Sequence, residues 1–169
     1  DGTIVHHDGT ITERTLAAFS RARELGVEIW FITGRPPRWM GEIKDAFGYG
    51  NAICCNGAMH YDLMNGNSIE EWAIPDDLLL ETIKRLRRSI PGVAFAIESH
   101  NFFKREKSYV AVWDAGIDHN GCNQIEEVLT LPILKMLVRC QGNDFTSDEM
   151  LEIAVREIGD LVTITHSSA

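Results

Sequence analysis

The stretch that most limits how this chain can fold is Glu28-Ile29-Trp30-Phe31-Ile32-Thr33-Gly34-Arg35, an apolar run that stops at a hydroxyl, a glycine and a guanidinium. A short apolar run closed by glycine reads as a strand buried on both faces, as in a parallel sheet with helices on either side. Ligands of such sheets bind at the carboxyl ends of the strands, which puts Thr33, Gly34 and Arg35 where binding or chemistry would occur. Their types suit an oxyanion: a hydroxyl donor, a backbone that allows close approach, and a planar fork of donors matched to phosphate or carboxylate. Taken alone, the eight residues fit a plain strand, turn and solvated arginine equally well.

Composition narrows the partners. With 169 residues, 44% hydrophobic and 24% charged, the chain has the make-up of a globular protein with one ample core or two small domains. A formal net charge of −9 argues against a broad nucleic-acid surface, since phosphate-backbone binding needs basic patches. The densest basic stretch, Lys84-Arg85-Leu86-Arg87-Arg88, reads as a solvated helix face. Cys54, Cys55, Cys122 and Cys140 form no Cys-x-x-Cys pair and follow no secretory signal, so reduced, partly buried thiols in a cytoplasmic protein are expected. No apolar run approaches bilayer-crossing length, and no membrane partner is expected.

In chain order, Asp1-Gly2-Thr3-Ile4-Val5 opens without a strand before it. Asp8-Gly9 is a turn dipeptide; Thr12 then caps a helix with Leu16, Phe19, Ala22 and Leu25 along one stripe. Val27 to Ile32 is the strand described above, and a second helix follows Pro36-Pro37 with Trp39, Met40, Ile43 and Phe47 on one side. The strand Ala52 to Cys55 ends in Asn56-Gly57, so two successive strand ends offer small or polar residues to one crevice. Beyond Tyr61 the pattern changes, with Asn65-Gly66-Asn67 as a turn, Ile69 to Ile74 as a strand, and a helix from Pro75-Asp76 carrying Leu79, Ile83, Leu86 and Ile90. A strand at Val93 to Ile97, an unassigned stretch from 99 to 132 with a short helix at Asn123 to Leu129, a strand at Ile133 to Cys140, a Ser147-capped helix and a strand at Leu161 to Thr165 complete the reading. The second half is thus β-α-β twice over, a ferredoxin-like α+β arrangement, and the domain boundary falls near residue 60.

Asp1-Gly2-Thr3, then Thr33-Gly34-Arg35-Pro36, then Asn56-Gly57-Ala58 leading into a βαβ-βαβ segment together resemble the haloacid dehalogenase-like (HAD) hydrolases, and within them the Cof-like phosphatases with a class IIB cap. The resemblance spans essentially the whole chain. It implies an α/β fold in which residues 1–60 belong to a Rossmann-like core, present in part, and residues 61–169 form the cap. It further implies a phosphatase that moves a phosphoryl group from a small phosphorylated metabolite to an aspartate and then to water, with Mg2+.

By that resemblance Asp1 matches the second aspartate of the family's first motif, which protonates the leaving alkoxide and then activates water. Its backbone carbonyl would ligate magnesium. Thr33 matches the hydroxyl that orients the transferring phosphoryl group, aided by the Gly34 backbone. Asn56 and Gly57 match a loop beside the same crevice, and Arg35 is a candidate substrate contact. Asp8-Gly9-Thr10-Ile11 repeats the opening pattern, but its partner two residues earlier is His6 and no buried strand delivers it, so it reads as a turn; His6 and His7 then lie in a surface loop. Glu98, Lys104, Arg105, Trp113, Asp114 and Lys135 are the polar or aromatic cap residues available for leaving-group contacts. The family's nucleophilic aspartate, its lysine and its acidic magnesium ligands have no counterpart within residues 1–169. The intact protein is therefore expected to be the enzyme, and the alternative is a non-catalytic, cap-bearing fragment or a phosphate-compound binding module. Residues 1–169 made alone are expected to show no phosphatase activity; magnesium-dependent monoester hydrolysis abolished by Thr33→Val would overturn that expectation.

Overall fold

The computed structural model describes residues 2–6, 8–111, 120–140 and 145–166, and they divide into two compact units, Asp1–Trp72 and Ala73–Ala169. The expected boundary near residue 60 falls inside the first unit, within a strand.

In the first unit, helix α1 (Glu13–Glu24) starts where expected: the Thr12 hydroxyl accepts the Thr15 N–H at 3.2 Å. Strand β1 (Trp30–Ile32), helix α2 (Gly41–Phe47), strand β2 (Asn51–Cys54) and a hairpin of β3 (Met59–Asp62) and β4 (Asn67–Glu71) follow, in sheet order β1-β2-β3-β4. β1 and β2 are parallel, with Ile32 opposite Ile53, and the remaining pairs are antiparallel. Both helices pack on one face of this sheet. Phe19 of α1, Phe31 of β1 and Phe47 of α2 meet with ring centroids 4.8 to 5.9 Å apart, and Met40, Ile43, Ala52, Met59 and Tyr61 are also buried in this unit.

Several expectations change here. β1 is shorter than Val27 to Ile32 and buried on one face only: Phe31 is buried, but Trp30 is 44% and Ile32 82% exposed, because among the described residues every helix of this unit lies on the Phe31 side. Leu25 leaves the α1 stripe and sits exposed at the helix C-cap. β3 is an additional strand: Met59-His60-Tyr61-Asp62 has strand alternation, with Met59 and Tyr61 buried. The strand read at Ile69 to Ile74 forms earlier, at Asn67–Glu71, and pairs with β3; Ile74 makes only an isolated bridge to Ile133.

The second unit has an antiparallel sheet in the order β6 (Phe103–Arg105), β5 (Val93–Glu98), β7 (Lys135–Cys140), with helices α3 (Asp76–Ser89) and α4 (Ser147–Ile158). The stripe Leu79, Ile83, Leu86 and Ile90 packs with Phe95 and Ile97 of β5 and with Met150, Ile153, Ala154 and Ile158 of α4. Helices on one face of an antiparallel sheet agree with the α+β reading. The cap of α4 is Thr146 rather than Ser147, in a capping box with Glu149. Leu161 to Thr165 does not form a strand. The N–H groups of Leu161 and Val162 are spent on the Ile158 carbonyl at the end of α4, and Leu161, Val162 and Ile164 join the core as irregular chain.

The basic stretch is not simply a solvated face. Arg85 bonds Glu81, Asp160 and the Glu157 carbonyl, while Arg87 binds both Glu126 and the buried carboxylate of Glu106 and stacks over Phe95 at 4.9 Å. Glu106 is 1% exposed and also accepts the Phe95 and Ile125 N–H groups at 3.1 and 2.9 Å. Arg87 and Glu106 thereby tie α3 and β5 to the 125–128 turn through satisfied polar groups. Glu106→Ala should lower the stability of the intact protein by about 3 kcal/mol, near the low end for a broken buried pair because Arg87 keeps Glu126. Denaturant unfolding followed by a probe in the second unit checks this. Hydrogen bonding from Arg87 holds the Glu126 carboxyl below the usual carboxylate range. Its stabilising contribution is therefore present above that range and should fade as pH falls through the lowered pKa, which an Arg87–Glu126 double-mutant cycle run against pH measures.

Candidate functional site

The two strand ends singled out in the sequence lie side by side. The β1–β2 ladder continues one step past the strands, with the Thr33 N–H donating to the Ile53 carbonyl at 2.9 Å. The chain then turns at both ends, and the turns bond to each other: the Asn56 N–H donates to the Thr33 carbonyl at 3.3 Å, and the Cys55 N–H to the Arg35 carbonyl at 3.0 Å. Thr33, Arg35, Cys55 and Asn56 thus form one backbone-linked patch at the carboxyl ends of two parallel strands, with Gly34 and Gly57 at the exposed tips.

Within the patch the Thr33 hydroxyl accepts the Arg35 N–H at 3.1 Å. A hydroxyl has one donor and two acceptor positions, so this bond fixes Oγ1 without spending its proton. Among the described residues no acceptor takes that proton. The second turn is conformationally unusual: Cys55 and Asn56 both have positive φ, 52° and 59°, and Gly57 follows at 109°. Left-handed backbone is costly for a side-chain-bearing residue other than Asn or Asp, and two in succession mark a turn held in place by its surroundings. This reversal also ends β2 at Cys54, one residue before the strand end read from sequence. Nothing lies within 4 Å of where a Gly57 Cβ would sit, so Gly57 is required by its φ and not by crowding.

The Arg35 side chain turns back along its own loop. It is 19% exposed, and its guanidinium reaches the Trp39 carbonyl at 3.4 Å and the Glu42 carboxylate at 3.3 Å. Glu42 was not singled out in the sequence, and no spacing rule points to it. Burial pushes the neighbouring Cys54 thiol up to about 11, so it is protonated at neutral pH and unsuited to nucleophilic work.

Asp1 and His7 lie outside the described residues, as do Trp113 and Asp114. Asp8 accepts from both the N–H and the hydroxyl of Thr10 in an exposed turn, which lowers its pKa and agrees with the turn reading. Of the other nominated cap residues, Glu98 is buried opposite Lys135 across β5 and β7, Lys104 pairs with Ile97, and Arg105 donates to the Glu106 and Tyr109 carbonyls. Among the described residues no three His, Cys, Asp or Glu side chains group to hold a metal ion. Beyond the Arg35 guanidinium, which is turned toward Glu42, what the described patch offers is neutral donors, which suit an anion and do not by themselves fit a divalent cation. Among the described residues no helix is long and apolar enough to cross a membrane.

A family model described as haloacid dehalogenase-like hydrolase matches residues 1–168. Among solved structures, BT1666 from Bacteroides thetaiotaomicron, reported among phosphatases of the HAD superfamily, is 25% identical with a TM-score of 0.56 over 66% of this chain and 40% of its own. The HAD subclass IIB sugar phosphatase BT4131 is 18% identical, TM-score 0.68, over 94% of this chain and 61% of its own. TM0651 from Thermotoga maritima is 19% identical, TM-score 0.72, over 99% of this chain and 63% of its own. The latter two likenesses speak to the fold, and the chain spans from 40% to 63% of the length of these three proteins. No curated protein matches.

The left-handed turn makes a direct prediction. Asn56→Gly should leave stability unchanged or slightly raised, whereas Asn56→Val should cost about 1–2 kcal/mol, measured by denaturant unfolding of the intact protein.

Proposed function

Because the chain belongs to the haloacid dehalogenase-like hydrolase family, we propose that the intact protein is a magnesium-dependent phosphatase acting on a small phosphorylated metabolite through an aspartyl-phosphate intermediate. Residues up to the β3–β4 hairpin belong to its core and the second unit to its cap in this reading. The observation that carries it is the Thr33 hydroxyl, held by the Arg35 N–H at the end of β1 with its proton unspent among the described residues. Such a donor suits a phosphoryl oxygen whose charge grows in the transition state. The Gly57 backbone and the Asn56 side chain, both exposed beside it, supply further contacts in this reading, with Gly34 at the adjoining tip.

The transfer runs in two steps. An aspartate outside residues 1–169 attacks phosphorus as the ester bond breaks, and Asp1 gives its proton to the departing alkoxide. A water then attacks the aspartyl phosphate while Asp1 takes its proton back, releasing inorganic phosphate and restoring both carboxyls. Magnesium, for which this reading assigns the Asp1 backbone carbonyl and acidic ligands beyond this span, would supply charge neutralisation. The name of BT4131 suggests a sugar phosphate as the first substrate class to assay.

In the intact protein Thr33→Val should keep the fold and lower kcat by about 100-fold or more, the usual loss when one transition-state donor is removed. Steady-state kinetics on a panel of phosphorylated metabolites checks this; unchanged kinetics contradicts the role. Asp1→Asn should still bind magnesium by calorimetry yet turn over slowly. Parallel loss of metal affinity and turnover would instead make the Asp1 side chain a ligand.

A further inference from the structure

Arg35 occupies the joint between the two strand-end turns. Its N–H donates to Thr33 Oγ1 and its carbonyl accepts the Cys55 N–H, so one peptide segment sets both the hydroxyl and the left-handed turn. Its side chain is mostly buried, and the guanidinium bonds the Trp39 carbonyl and the Glu42 carboxylate at the start of α2. Between these anchors the chain is stiff. Pro36 and Pro37 are buried with φ restricted by their rings, and the Trp39 and Met40 N–H groups close back onto the Pro36 and Pro37 carbonyls. A displaced guanidinium therefore has little slack to absorb its movement before the Arg35 backbone shifts.

We propose that Arg35 is a positioning residue, its guanidinium clamped by Glu42 and the Trp39 carbonyl so that its own backbone holds the Thr33 hydroxyl and the Cys55–Asn56 turn in register. Glu42 is the outer half of the clamp, although its side chain is 74% exposed. A lone surface ion pair contributes little, but here one partner is mostly buried and also bonds backbone. This inference rests on the phosphatase reading of Thr33 for its effect on turnover, and on the structure alone for its effect on the loop. Arg35→Lys keeps the charge and loses the planar fork, so it loosens the clamp without leaving a bare cavity.

The test uses the intact protein and two readouts. In residue-resolved hydrogen exchange, the Arg35 and Cys55 amides should exchange about tenfold faster in Arg35→Lys, and detectably faster in the surface variant Glu42→Gln, with the β2–β3 amides unchanged. In kinetics, Arg35→Lys should lower kcat by about tenfold or more with little change in KM, and should cost little further when Thr33 is already valine. Unchanged exchange at these amides in both variants overturns the clamp. Losses that add fully to those of Thr33→Val, with a raised KM, overturn it in favour of a direct substrate contact. If the parent protein hydrolyses no phosphate ester, the functional reading fails, and the exchange measurement still decides the clamp.

Discussion

The site depends on a short set of backbone hydrogen bonds that join the ends of two parallel strands. Thr33 to Ile53 extends the β1–β2 ladder, and Asn56 to Thr33 and Cys55 to Arg35 lock the turns that follow. Without these bonds, Thr33 and Asn56 would be residues of two independent loops. With them, an apolar strand, an aromatic cluster and two short helices place a hydroxyl and an exposed amide on one edge of the sheet. The rigidity is indirect: Phe19, Phe31 and Phe47 fix α1 and α2 against the sheet, and α2 carries Glu42, which with the Trp39 carbonyl just before the helix holds the Arg35 side chain.

The second unit is fixed by a different kind of interaction. Its core is an ordinary helix-on-sheet cluster, but the chain around Glu106 and the 125–128 turn is also tied down by charge. Glu106 gives its buried carboxylate to Arg87 and two backbone N–H groups, and the Arg105 guanidinium bonds the carbonyls of Glu106 and Tyr109. In the described part of this stretch these satisfied polar groups act beside buried apolar anchors such as Tyr109, Ile125 and Ile133. The basic run Lys84 to Arg88 is spent largely on internal pairs: Lys84 and Arg85 bond Glu81, and Arg87 bonds Glu126.

Much of this was legible in the residues. Thr33-Gly34-Arg35 could be placed at a strand end because a polar β-branched residue closing an apolar run has few other reasons to be there. Thr12, the α3 stripe and β5 followed from capping and periodicity. What was not legible depends on partners distant in sequence. Burial on one face of β1 depends on where α1 and α2 pack, and the fate of Leu161 to Thr165 on the Ile158 carbonyl taking its first N–H groups. The roles of Arg85 and Arg87 depend on Asp160, Glu106 and Glu126, whose nearness no local pattern reveals. Cys55 read as the last residue of a strand, and only its positive φ shows that the chain has already reversed.

The most direct test of the joined strand ends as an anion site is a crystal structure of the intact protein with a phosphate mimic such as vanadate or tungstate. The mimic should sit within about 3 Å of Thr33 Oγ1, in hydrogen-bonding distance of the turn at Asn56-Gly57, with the Arg35 N–H still donating to Thr33. A mimic bound elsewhere, or a Thr33 hydroxyl turned away from it, would contradict the account.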